Sequence, residues 1–117
     1  MPEIVLDTDE LLRRVIFNNP SYVKEDQSLS SFAFKPRSNE AGVSVDISRF
    51  TTYQRSIIDK FNYRLYSVRA QHVRELEFDC IHNPVEGNDS HALIVGSFTN
   101  ANCRRLARRA VRIPYPD

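Results

Sequence analysis

Short stretches of alternating apolar and polar residues limit what this chain can fold into. In the clearest stretch, Val43, Val45 and Ile47 are separated by polar residues. This period of two is typical of a β-strand that turns one face toward a core. We therefore predict strands at GVSVDI (42–47), YRLYSV (63–68), EFDCIH (77–82) and HALIVGS (91–97).

Two segments nearer the N-terminus are less clear in type. SLSSFAFKP (28–36) places Phe32 and Phe34 on one face, which predicts a strand that pairs with 42–47 as a hairpin. The segment 8–17 could begin a helix at Thr8, but its β-branched residues also allow a strand. Both alternatives stay open for that segment.

Helical spacing predicts three helices between and after the strands. They are TTYQRSIIDKF (51–61), AQHVREL (70–76) and NANCRRLARRAVRI (100–113). Thr51 or Thr52 would cap the first helix, whose apolar face would hold Tyr53, Ile57, Ile58 and Phe61. Asn100 would cap the last helix, and Pro114 and Pro116 would stop it.

Strands and helices without a regular βαβ alternation favour the α+β class. We expect one small domain over 1–117, with an antiparallel or mixed sheet and two to four short helices on one face of it. At 117 residues the chain has room for one core and not for two.

Composition is ordinary for a folded domain, with 41% apolar and 26% charged residues. No apolar run approaches the about 20 residues that a membrane-spanning helix needs. The acidic start of the chain does not resemble a signal peptide, so we expect a cytoplasmic protein without a membrane partner. Cys80 and Cys103 belong to no CxxC motif, which predicts reduced, buried thiols rather than a zinc site.

The loop between the last two predicted strands carries histidines at both ends, His82 and His91. In a hairpin their rings would lie side by side at the mouth, with Cβ atoms roughly 5 Å apart. Such a pair could divide acid and base roles in phosphodiester cleavage, or bind a metal together with Asp79, Glu86 or Asp89. The turn-forming residues between them equally support a purely structural role. We assign no metal and no cofactor.

A second candidate site is SLSSFAFKPR, where Ser31, Lys35 and Arg37 offer donors that suit a phosphate. The competing interpretation is a strand with a polar outer face and no ligand. A glycine-rich phosphate loop is excluded, because Gly42, Gly87 and Gly96 are too far apart in the sequence.

The predicted C-terminal helix has an almost pure arginine face. It consists of Arg104, Arg105, Arg108, Arg109 and Arg112, within an arc of about 140°. Because the whole chain carries a net charge of +1 and this face supplies five positive charges, the remainder carries four net negative charges. Like charges four residues apart repel one another, so something should offset them: the acidic body of the protein, an acidic partner, or a nucleic-acid backbone.

Several segments of the chain resemble small bacterial proteins. The resemblance rests on an early SSFAF segment, of the form SS-x-AF, and a late NDSHALIVG segment, of the form N-x-SHA-x-I-x-G. It implies a self-contained bacterial domain that works beside a neighbouring gene product, and it assigns no activity or catalytic residue. If the two segments meet in space, they would bring together the candidate site residues Ser31, Lys35, Arg37, His82 and His91.

We therefore expect an interaction module of a multi-component bacterial system, such as defence or toxin control, with a protein partner and with self-association left open. A histidine-dependent nuclease or phosphodiesterase is the first alternative, in which His82 and His91 act as acid and base. Nucleic-acid binding through the arginine helix is the second. No complete catalytic motif is present in the sequence, so whether the protein is an enzyme stays open.

Overall fold

The computed structural model describes residues 3–37 and 40–114, so Pro116 lies outside the described residues. One sheet of six antiparallel strands organises this part of the chain. The strands are β1 (Glu10–Ile16), β2 (Val43–Ile47), β3 (Tyr63–Arg69), β4 (Asp79–His82), β5 (His91–Val95) and β6 (Val111–Arg112). Their order across the sheet is β4-β5-β2-β1-β3-β6. The antiparallel form of the α+β prediction is confirmed.

Strand β1 settles the alternative left open for residues 8–17. All seven of its residues pair with β3, from Glu10 opposite Arg69 to Ile16 opposite Tyr63. Pairing with β2 is limited to Leu11 opposite Ile47 and to the next residue pair, Leu12 and Asp46. A strand paired on both sides has its backbone groups hydrogen-bonded to two neighbours, whereas an isolated helix of ten residues is only marginally stable in water.

The predicted strand at 28–36 and its hairpin with 42–47 are wrong. Residues Ser31–Phe34 form a 3₁₀ helix, and β2 lies between β1 and β5. Ala33 and Phe34 are consecutive and both buried, while Phe32 is 48% exposed. Burial of adjacent residues does not fit a strand with one buried face, because strand side chains alternate between faces.

Three α-helices complete the fold: α1 (Tyr53–Ile57), α2 (Ala70–Glu75) and α3 (Asn100–Arg109). Helix α1 is capped by Thr52, whose side chain accepts from the Arg55 N–H at 3.2 Å. It ends early, because Ile58 has a φ of 66°. Ile58 and Phe61 are consequently exposed, and the apolar helix face predicted to contain them is wrong.

Helix α3 is shorter than predicted and starts from a different cap. Thr99, not Asn100, accepts from the Asn102 N–H at 3.1 Å. The helix ends at Arg109, and the next residues form β6, in which Arg112 pairs with Tyr66. The prediction that Arg112 belongs to the helical arginine face is therefore wrong.

The sheet is covered on both faces, which corrects the expectation that all helices share one face. Helices α2 and α3 contribute to the larger core through Val73, Cys103 and Leu106. Ile57 of α1 packs on the opposite face, in a small cluster with Leu12 and Leu65. Cys80 and Cys103 are both buried free thiols, as predicted. Among the described residues, no helix has the length and apolar character required to cross a bilayer.

Candidate functional site

The two histidines of the 82–91 loop point to opposite faces of the sheet. His82 pairs with Ala92, whereas His91 accepts at its backbone oxygen from the Asn83 N–H at 2.9 Å. This register offsets the two histidines by one residue, and adjacent positions on a strand face opposite ways. The side-by-side arrangement predicted for a histidine acid–base pair is not formed.

His82 is buried, and both of its ring nitrogens are used within the fold. Its Nδ1 accepts from the Glu3 backbone N–H at 2.6 Å, and its Nε2 donates to the Asp89 carbonyl at 2.6 Å. The ring also stacks on Phe50, with centroids 5.3 Å apart. These contacts join the N-terminal segment to the loop before β5, which is a structural role.

His91 lies on the other face, in a polar setting. Its Nδ1 donates to the Asn83 carbonyl at 2.8 Å, because a carbonyl oxygen can only accept. Its Nε2 is 3.2 Å from the Ser44 hydroxyl oxygen and accepts from it in this tautomer. No group of three or more histidine, cysteine, aspartate or glutamate side chains in the described chain is arranged to hold a metal ion.

Beside His91, strands β1 and β2 separate, and Arg13 bridges the gap. Its Nε donates to the Ala33 carbonyl and its Nη1 to the Ser44 carbonyl, each at 2.9 Å. Burial removes water from this guanidinium and lowers its pKa to about 10. Arg13 therefore holds a half-buried positive charge at the point where the strands diverge.

Three adjoining cavities open along this gap, and Arg14 lines all of them. We call them together the arginine cleft. The first, of about 60 Å³, also contains Ser44 and His91. The second, of about 250 Å³, extends toward Ile58. The third, of about 180 Å³, contains Arg37 and Tyr63. The Arg14 Nη1 donates to the Ser56 carbonyl at 2.8 Å, and its guanidinium carbon lies 5.7 Å from the centre of the Tyr63 ring.

Two acidic side chains line the cleft: Asp46 borders the first and second cavities, and the exposed Asp89 borders the second. The carboxylate oxygens of Asp46 are occupied. One accepts from the Ser56 hydroxyl at 2.6 Å and the other from the Asn88 amide at 2.9 Å. Within the described residues, neither Arg13 nor Arg14 has a carboxylate at ion-pair distance. Arg13 and Arg14 thus keep positive charge in the cleft without a direct acidic partner in the described part of the chain.

The structure separates the phosphate-binding residues predicted from SLSSFAFKPR. Arg37 lines the cleft and is 86% exposed, with one contact of 3.8 Å to Glu40. Ser31 and Lys35 line none of the three cavities. Lys35 is close enough to Cys103 to oppose the rise in the pKa of that thiol, which burial causes.

Sequence reasoning missed Arg13 and Arg14, the two residues at the centre of the cleft. The available signal was a pair of arginines inside ELLRRVI, a segment otherwise suited to a buried strand. Adjacent residues of a strand cannot both point to solvent on one face, so at least one of the pair had to find polar partners within the fold.

The second candidate surface is the arginine face of α3, which we define as Arg104, Arg105, Arg108 and Arg109. All four are exposed, while Cys103, Leu106 and Ala107 pack into the core from the other side of the helix. Arg105 donates to the Asn102 side chain at 3.0 Å. In the part of the chain that the structure describes, no acidic residue forms an ion pair with any of the four.

Comparison with known proteins identifies no relative. No family model, curated protein or solved structure matches this chain.

Proposed function

We propose that the protein is an interaction module that binds an acidic surface of a partner protein through the arginine face of α3. The observation that carries this proposal is the absence of any ion pair to these four arginines within the described residues. Neighbouring cations on a helix repel one another, and an acidic partner would relieve that repulsion.

Overall charge favours a protein partner over nucleic acid. The chain has a net charge of only +1 and an isoelectric point near 7.8, whereas nucleic-acid-binding domains are commonly strongly basic. The arginine face covers a single helix of ten residues, a length of about 15 Å. This small footprint suits a complementary acidic patch on a protein, where arginine is a frequent source of binding energy.

The biological setting that we propose is a multi-component bacterial system, such as defence or toxin control, in which this chain works beside a neighbouring gene product. The partner would then be encoded close by. Under this proposal the chain needs no catalytic residue of its own, since its role would be to hold or inhibit the partner.

The test is a pull-down from nuclease-treated lysate of the source organism, followed by affinity measurement with the protein recovered. Wild type would be compared with Arg105→Glu/Arg109→Glu and with Lys24→Glu/Arg69→Glu, a control with the same change in net charge at exposed positions away from α3. We expect the helix variant to lose binding at least about tenfold and the control to retain it.

Two results would contradict the proposal. One is a partner that binds wild type and the helix variant equally. The other is that wild type recovers no protein from this lysate but binds added RNA or DNA with an affinity that falls steeply with salt, which would point to the nucleic-acid alternative. Sedimentation of the purified chain would show whether the acidic surface belongs to a second copy.

A further inference from the structure

We propose that the arginine cleft binds the phosphate group of a small phosphorylated molecule. The proposal is independent of the α3 face, because the cleft lies where β1 and β2 separate and none of the α3 arginines lines it. It rests on the charge, the donor geometry and the size of the cleft.

The charge of the cleft is arranged for an anion. Arg13 and Arg14 donate to backbone carbonyls rather than to carboxylates, and these bonds hold their guanidinium groups in place. Arg37 adds a third guanidinium whose only ion pair among the described residues is the long contact to Glu40. A bound anion would supply the counter-charge that these groups lack.

Each guanidinium also retains donors for a ligand. The Nη2 groups of Arg13 and Arg14 have no hydrogen-bond partner among the described residues, and both residues line the first and third cavities. As neighbours on β1, the two side chains start from opposite faces of the sheet. Donors that approach from two sides suit a tetrahedral phosphate better than a planar carboxylate.

The size of the cleft argues for a small ligand. The two cavities that both Arg13 and Arg14 line, of about 60 and 180 Å³, stay even together below the range of roughly 300–1,000 Å³ that drug-sized ligands occupy. Tyr22 and Tyr63 line the cavity that contains Arg37, and they offer ring surface for a short organic group. The ligand we infer is therefore a phosphate monoester with a small organic part.

The test is an NMR titration of the isotope-labelled full chain with inorganic phosphate, glycerol phosphate and a nucleoside monophosphate, each at low salt. We expect saturable shifts of the Arg13, Arg14 and Arg37 side-chain N–H signals. Arg14→Gln should weaken binding by about tenfold, and Arg37→Gln by about threefold. Tighter binding of an ester would identify an organic phosphate as the ligand, and equal binding would identify inorganic phosphate.

Arg109→Gln on α3 is the matched control, because it removes one arginine without touching the cleft, and its affinity should equal that of wild type. Arg37 is 86% exposed, so its replacement tests the site even if the Arg14 variant fails to fold. The proposal is overturned if no saturable shift occurs, if the shifts fall on α3, or if Arg37→Gln binds phosphate as tightly as wild type.

Discussion

Arg13 donates its Nη1–H to the backbone carbonyl of Ser44 at 2.9 Å, across the point where β1 and β2 stop pairing. The same guanidinium reaches the Ala33 carbonyl in the 3₁₀ helix. A side chain therefore connects β1, the 3₁₀ helix and the part of β2 that lies beyond its short ladder with β1. This connection explains how a half-buried arginine can be part of the fold and still line a cavity.

Replacing Arg13 should destabilise the protein strongly. Arg13→Met keeps much of the apolar stem but leaves the Ala33 and Ser44 carbonyls without their donor, at an expected cost of about 3 kcal/mol in the free energy of unfolding. Urea unfolding followed by circular dichroism measures this cost. Arg69→Met is the control, because Arg69 is exposed and its side chain has one polar contact among the described residues, to Glu10 at 3.5 Å; it should lose less than about 1 kcal/mol. Equal losses in the two variants would show that the bridge adds no stability.

Ile58 should be replaceable by glycine with a gain in stability. Its φ of 66° and ψ of −56° place a β-branched residue in a γ-turn, closed by the Asp59 N–H and the Ile57 carbonyl at 2.6 Å. The side chain is 70% exposed, so little packing is lost. Ile58→Gly should raise the unfolding free energy by about 1 kcal/mol, while Ile58→Ala, which keeps a Cβ, should not. Thermal unfolding of both variants decides this, and a glycine variant less stable than the alanine variant would contradict it.

His82 should behave as a structural residue. Truncation in His82→Ala removes both ring hydrogen bonds and the stacking on Phe50, with an expected loss of about 2 kcal/mol of stability. The matched control is His72→Ala, because the half-buried His72 ring makes no hydrogen bond to other described residues. We expect the control to change stability by less than about 0.5 kcal/mol in the same denaturant titration. A His82 variant as stable as wild type would show that the loop is held by other contacts.

The two cysteines should resist alkylation in the folded protein. Burial raises the pKa of Cys80 from 9.0 to about 12 and also raises the pKa of Cys103, so little thiolate exists near neutral pH. Iodoacetamide at pH 8 should therefore label neither thiol within the time that labels both in denaturant, as read by intact mass. Rapid labelling of Cys80 under native conditions, with Cys103 unmodified, would show that β4 opens locally.

Local sequence patterns identified most strands and helices, but they did not identify the 3₁₀ helix at Ser31–Phe34. Alternation predicted β2 closely, because Val43, Val45 and Ile47 all face the larger core. The bounds of β3 were also predicted closely, but its apolar residues divide between the two faces, with Leu65 in the smaller cluster and Val68 in the larger core. The Phe32–Phe34 alternation in 28–36 looked the same, yet packing buried Ala33 and Phe34 together and left Phe32 exposed. The Cys103 thiol donates to the Phe34 carbonyl at 3.3 Å, so the partner that fixes this turn is α3, distant in sequence.

The residues of the candidate site likewise divide into those that local sequence identified and those that depend on contacts between distant segments. Sequence reasoning found Arg37 and His91, which line parts of the arginine cleft, but paired His91 with the wrong partner. The position of His82 depends on register, and a shift of one residue sends it to the other face of the sheet. Arg13 and Arg14 were missed because their roles depend on where β1 and β2 diverge, which no short stretch of sequence encodes.

Short-range sequence patterns were enough to specify the α+β class, the alternation of β2 and β3, and an amphipathic α3 with cations on one face. These features depend on spacing within a few residues, and backbone geometry converts such spacing directly into faces. Tertiary contacts were needed to separate the two loop histidines, to place Arg112 on β6, and to bind the Arg13 guanidinium to the Ser44 carbonyl. Those outcomes depend on register and on contacts between distant segments, where the free energy of packing outweighs local preference.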